Sequence, residues 1–187
     1  MVLEKEQGHL FYRLWLPLLN YANEKYQVVE SFFGPDPSKG ILPDRAVKVA
    51  DRIWENVSII DEYMDIYSDE MSEEELDIVA GWKKFVRGTF VVERHLRKGS
   101  ILVSADNDRT VYLVKGIFSD LRELLGDLPM PQMVEATLLP FRGEIIHDGL
   151  MRPYGICLRK SLADDVRNVY LEAKANDRIH TCIGDDK

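Results

Sequence analysis

The chain has 187 residues, 45% of them hydrophobic, enough to bury a core as one compact domain or as two small ones. A formal net charge of −8 opposes non-specific nucleic-acid binding, which depends on lysines and arginines displacing phosphate counterions. Acids stand where a signal peptide would be basic, no apolar run approaches the roughly 20 residues that cross a bilayer, and Cys157 and Cys182 lack ligand spacing; a cytoplasmic protein without membrane span, disulfide framework or zinc site is expected.

The first half reads as helix. Phe11, Leu14, Trp15, Leu18, Ala22 and Tyr26 recur at three and four residues, one buried stripe of a helix within residues 9–33, with a kink or late start expected at Pro17. The loop "GPDPSKG", 34–40, ends it. Pro43 then opens a second helix, in which Val47, Ala50, Ile53, Trp54, Val57, Ile60, Met64 and Tyr67 hold a helical period for about six turns. A third begins at "MSEEEL": Ser72 and Glu75 form a capping box, Leu76, Val79, Trp82 and Val86 face inward, and Gly88 suits the stop. Trp15, Trp54 and Trp82, one per helix, are expected in a shared core.

After Gly88 the period turns extended. "TFVVERHL", "SILVSA" and "TVYLVKG" are β-branched and separated by turn residues. A helical turn or two follows in "SDLRELLGDLP", capped by Ser119, and then strands at "QMVEATLL", "GEIIH" and "LMRPYGICL". A last helix is capped by Ser161, with Leu162, Val166, Val169 and Ala173 inward, and the tail "CIGDDK" is expected to fray. The fold class is therefore α+β: a three-helix region, residues 1–88, then a small antiparallel β-barrel or half-barrel of about six strands with a C-terminal helix, residues 89–187.

The cluster with most chemistry is "LLPFRGEIIHDGLMRPYGICL", which sets Glu144, His147, Asp148 and Arg152 close together. Asp148-Gly149 suits a two-residue type I′ hairpin turn, with His147 facing Leu150 and Ile145 facing Arg152, and Arg142-Gly143 suits another. Strand alternation then sends Glu144 to the face of Ile146 and His147 to the face of Ile145, so the two do not converge on one atom. "EIIH" and "EQGH", Glu6 to His9, match the Glu-x-x-His spacing of di-metal bundles, but paired isoleucines favour a strand in the first and Gly8 weakens a helix in the second. Neither a metal nor a cofactor is expected, and no GxSxG, P-loop, GxGxxG or HExxH motif occurs.

Residues 61–77, "DEYMDIYSDEMSEEELD", carry nine acids and no base. Residues 1–88 hold 10 Lys+Arg against 17 Asp+Glu, whereas residues 89–187 hold 14 against 15, so the acidity belongs to the helical half. Its plain role is a solvated link whose glutamates favour a helix N-terminus; its sharper role is a docking surface, Asp69, Glu70, Glu73 and Glu74, for a basic partner.

The run "LLPFRGEIIHDGL" resembles a motif of uncharacterised bacterial proteins, in which a strand ending Leu-Leu-Pro-Phe precedes a paired-Ile strand and Tyr-Asp-Gly-Leu. Leu138, Leu139, Pro140, Phe141, Ile145, Ile146, Asp148, Gly149 and Leu150 carry the likeness, and His147 stands where the motif has tyrosine. The resemblance implies a bacterial cytosolic protein with no established activity, and a histidine exchangeable with tyrosine is not an essential catalyst. The function expected is a non-catalytic protein- or peptide-binding or regulatory module, without nucleic-acid or membrane partners. The alternative is a hydrolytic enzyme, with or without a metal, using Glu144, His147, Asp148 and Arg152 in a cleft between the two halves.

Overall fold

The computed structural model describes residues 1–30, 41–126 and 129–184, and all of these but the side chain of Cys157 are open to description. The expected loop at 34–40 lies outside them, as does the end of the tail, 185–187. The chain divides into two compact units: a helical one, Glu6–Lys83, and a β one formed by Met1–Lys5 with Lys84–Lys187. Among the described residues no helix is long and apolar enough to cross a membrane.

Among the described residues the helical unit holds four α-helices rather than three. Helix α1, Lys5–Tyr26, begins well before Pro17 and keeps the proline inside it. The single six-turn helix expected from Pro43 is two, α2 (Pro43–Glu55) and α3 (Ser58–Tyr67). The break falls at Asn56 (φ −140°, ψ 82°), whose amide donates to the Tyr26 hydroxyl at 3.1 Å while its carbonyl oxygen accepts from Ser58 Oγ at 2.9 Å. Asn and Ser compete with the backbone for hydrogen bonds, which favours a break over helix interior, and apolar periodicity across it cannot reveal that. Helix α4, Glu73–Gly81, has the expected capping box: the Ser72 hydroxyl accepts from Glu75 N–H and the Glu75 carboxylate accepts from Ser72 N–H. It ends at Gly81, and Gly88 lies inside a strand. Trp15 stacks on Trp54 (centroids 5.3 Å apart) and meets Trp82 edge to face (5.7 Å), so the three tryptophans do share one core.

The β unit contains β1 (Val86–Leu96), β2 (Gly99–Ser104), β3 (Val111–Lys115), helix α5 (Leu121–Leu125), β4 (Gln132–Phe141), β5 (Glu144–His147), β6 (Arg152–Cys157), helix α6 (Lys160–Ala175) and β7 (Ile179–His180). The first three strands form an antiparallel meander, and β4 returns beside β1, a Greek-key order. The pairings run β1–β2–β3–β5–β4 and, through β4, back to β1. The sheet is not wholly antiparallel: β3 pairs in parallel with both β5 and β7, the latter a strand too short for a periodicity to show. Met1–Leu3 joins as well, with Leu3 N–H donating to Gly116 O at 2.9 Å and Gly116 N–H to Met1 O at 3.1 Å.

Alternation along these strands separates two cores. Phe90, Val92, Leu102, Val114, Val134, Leu138 and Ile145 point to one face and take in Leu121 and Leu125 of α5. Val91, Ile101, Val103 and Val111 point to the other and receive Val166, Tyr170 and Ala173 of α6. Helix α6 therefore covers a sheet face, with Tyr170 in place of the expected Leu162, which is 43% exposed. The Arg94 guanidinium lies 4.7 Å from the Tyr170 ring centre and fixes the helix to β1. Neither serine acts as expected at the helix starts: Asp120 caps α5, accepting from Glu123 N–H at 3.0 Å, and α6 starts after Arg159 without a side-chain cap. The tail is held as far as Gly184, whose carbonyl accepts from Lys84 Nζ at 3.3 Å.

At Gly99, which opens β2 with φ +152°, a Cβ would stand 2.7 Å from the Val114 carbonyl oxygen. Gly99→Ala is therefore expected to cost about 2–3 kcal/mol in urea denaturation. At Gly143 (φ +76°) a Cβ would meet nothing within 4 Å. Gly143→Ala should cost only the backbone penalty, about 1 kcal/mol.

Candidate functional site

Of the two glycine pairs expected to make tight turns, only Arg142-Gly143 closes a hairpin. Arg142 (φ 50°) and Gly143 (φ 76°) both have positive φ and join β4 to β5 as a type I′ turn, Phe141 facing Glu144. At Asp148-Gly149 only the glycine does (φ 86°), and no hairpin forms. Strands β5 and β6 instead lie one after the other along the same edge of β4, β5 on Leu138–Phe141 and β6 on Gln132–Glu135. The opposite number of Arg152 is Glu135, not Ile145.

This jog uses the side chains that looked catalytic. Asp148 N–H donates to Thr137 O at 3.1 Å, Leu150 N–H to Asp148 Oδ1 at 3.0 Å, and Gly149 N–H to His147 Nδ1 at 3.0 Å. Asp148 is buried, not at an exposed turn. With Nδ1 accepting, the imidazole proton sits on Nε2, a buried atom without a hydrogen-bond partner among the described residues. Burial pushes the His147 pKa down to about 4, so the ring is neutral. Glu144 lies on the other face of β5 and is paired with Lys115, while Arg152 donates to Glu135 at 2.5 Å. Each of the four side chains is tied to local structure. Among the described residues no group of three His, Cys, Asp or Glu side chains could hold a metal ion.

The acidic run leads to a different place. Asp69, Glu70, Glu73 and Glu74 are all exposed, around the short 3₁₀ turn Ser68–Glu70 and the start of α4. Beside them the helical unit has a cavity of about 350 Å³, whose walls include Tyr21, Tyr63 and Tyr67 and whose charged lining is Arg13, Glu24, Glu70 and Glu75. Tyr63 and Tyr67 are four residues apart on α3 and share a helix face, their ring centres 4.8 Å apart; Tyr21 of α1 lies 5.6 Å from the first and 6.2 Å from the second. Tyr63 is buried, which, with the nearby Tyr67 and Glu70, pushes its pKa up to about 12. Glu75 caps α4, and its bonds to the Ser72 N–H and hydroxyl hold its carboxyl below the usual range; it also accepts from Arg13 at 2.5 Å. Glu24 accepts from Asn20 at 2.7 Å. Glu70 has neither a hydrogen bond nor an ion pair among the described residues.

Of these groups the sequence singled out Glu70 as a binding residue and Tyr67 only as part of a buried stripe. Tyr21 and Tyr63 lie off the stripes, and the available signal was the Tyr-x-x-x-Tyr spacing inside an acidic run. In the β unit a second concavity, about 470 Å³, has Leu96, Ile101, Leu113 and Ile179 as its apolar walls and Arg97, Lys98 and Lys174 around them. His95 and His180 are structural: one bonds Ser100 Oγ at 2.8 Å and the other packs on Tyr112, ring centres 5.6 Å apart.

Comparison with known proteins returned no matching family model, curated protein or solved structure.

The buried imidazole makes stability depend on pH. An unfolded histidine takes up its proton near pH 6.5 and the folded one only near 4, so the protonated unfolded chain gains as the pH falls between these values. The contribution is intact above about pH 6.5 and declines towards pH 4, by about 3 kcal/mol in all. Denaturant titrations at pH 7, 5.5 and 4.5 should show this slope in the wild type. His147→Asn, which keeps an acceptor for Gly149 N–H, should lack it whatever its stability at pH 7.

Proposed function

We propose that the protein is a non-catalytic binding module of the cytosol whose helical unit takes a basic protein or peptide. The observation that carries this is the tyrosine-walled cavity with three carboxylates in its lining, contiguous with the exposed acids Asp69, Glu70, Glu73 and Glu74. Acids gathered around a concave surface raise the local negative potential, which speeds the approach of a cationic partner and selects against anionic ones. The cluster in the β unit supports this reading over a hydrolytic one. Glu144 is neutralised by Lys115, His147 is buried and uncharged, Asp148 and His147 are occupied by backbone N–H groups, and Arg152 is held by Glu135. No nucleophile and base stand in contact among these four.

In the same reading the ring of strand pairings is a closed five-stranded barrel, which leaves few strand edges open. Small Greek-key barrels of this size serve oligonucleotide- and oligosaccharide-binding domains, but an architecture does not select a ligand, and a net charge of −8 disfavours a polyanion.

Fluorescence anisotropy with labelled octaarginine at low salt tests the proposal. The wild type should bind, more weakly as salt is added, and reversal of Asp69, Glu70, Glu73 and Glu74 to lysine should weaken binding about tenfold or more. An equal reversal in the β unit, at the exposed Asp108, Glu123, Asp164 and Glu172, should weaken it far less. Equal losses in the two variants, or none in the first, would remove the reading.

A further inference from the structure

We infer that the cavity of the helical unit is a cage for one protonated side chain, arginine or lysine, of the basic partner; the inference rests on the binding reading above. Tyr21, Tyr63 and Tyr67 pack on one another with their ring centres 4.8–6.2 Å apart, and all three line the cavity. The face of a tyrosine ring carries partial negative charge and attracts a cation within about 6 Å of its centre. Elsewhere in the chain such rings are already served: Arg52 lies 5.1 Å from the centre of Tyr26, and Arg94 4.7 Å from that of Tyr170. None of the three cage rings has a lysine or arginine of the described residues over its face. The base nearest to hand, Arg13, lines the same cavity but is bound to Glu75.

The rim decides which ligand suits the rings. An apolar group would use none of the acceptor capacity of Glu24 and Glu70, and an anion would be repelled. A quaternary ammonium could sit among the rings but has no N–H for the carboxylates. A guanidinium or primary ammonium satisfies both parts of the site: its charge meets the ring faces and its N–H groups reach acceptors on Glu70 and Glu24, with Glu70 free of any cation of its own among the described residues. The volume of about 350 Å³ fits one long side chain better than a folded ligand, being near the lower end of the roughly 300–1,000 Å³ of small-molecule sites. The Tyr63 hydroxyl, its pKa pushed up to about 12 chiefly by burial, stays protonated beside the cation.

The test uses N-butylguanidinium as a side-chain probe and N-butylurea, its neutral isostere, followed through the tyrosine ring signals by NMR on the full chain. N-butylguanidinium should bind and N-butylurea should be at least about tenfold weaker. Tyr67→Leu should weaken the guanidinium and octaarginine by about threefold to thirtyfold. Glu70→Gln, at an exposed position, should weaken both by about twofold to tenfold, and this variant keeps the test decisive if Tyr67→Leu fails to fold. Equal binding of the urea and the guanidinium, or octaarginine binding indifferent to both substitutions, overturns the cage. The two ideas fail differently: octaarginine binding that depends on the four surface acids but not on Tyr67 or Glu70 removes the cage alone, whereas octaarginine that does not bind removes the reading beneath it.

Discussion

Strand β1 must satisfy two partners at once, and the β unit is organised around how it does so. Its first part pairs with β4 from Val86 to Val92 and its last part with β2 from Phe90 to Leu96, with both partners present over Phe90–Val92. The register slips between Val92 and Arg94, so Glu93 is the extra residue that bends the strand from one partner to the other. A buried carboxylate at such a bend needs a counter-charge, and Arg94 provides it while also covering the Tyr170 ring. One bulge thus redirects the strand, neutralises its own acid and anchors α6.

The same demand for pairing explains why the histidine cluster is structural. Strands β5 and β6 share one edge of β4, and the interruption between them exposes backbone N–H groups inside the fold, where an unpaired donor is costly. Asp148 and His147 accept from those groups, and the imidazole is held neutral by its burial. The acidic surface of the helical unit is the converse: Glu70 is not used by the fold, and charge that folding does not consume is available for recognition.

Much of the architecture was legible because it depends on local chemistry. The capping box at Ser72 and Glu75, the tryptophan core and the separation of Glu144 from His147 follow from spacing and alternation alone. What the chain conceals are choices made across distance. The parallel pairing of β3 with β5 and the placing of β6 on β4 rather than on β5 depend on which edge is open, and Asp-Gly is compatible with a jog as well as with a hairpin. The break at Asn56 is hidden by an apolar period that runs through it. The tyrosine cluster is assembled from α1 and α3, so only two of its three rings, Tyr63 and Tyr67, can be seen as a pair along the chain.

The bridge of Val2 to Gly116 has a topological meaning. Because Met1–Lys5 belongs with Lys84–Lys187, the helical unit is an excursion that leaves the β unit and comes back to it, attached at both ends. When it unfolds while the β unit stays folded, it becomes a closed loop and not a dangling tail, and a loop with pinned ends has fewer conformations to gain. Melting of the helices is therefore opposed from outside by the pairing of Met1–Leu3 with Gly116.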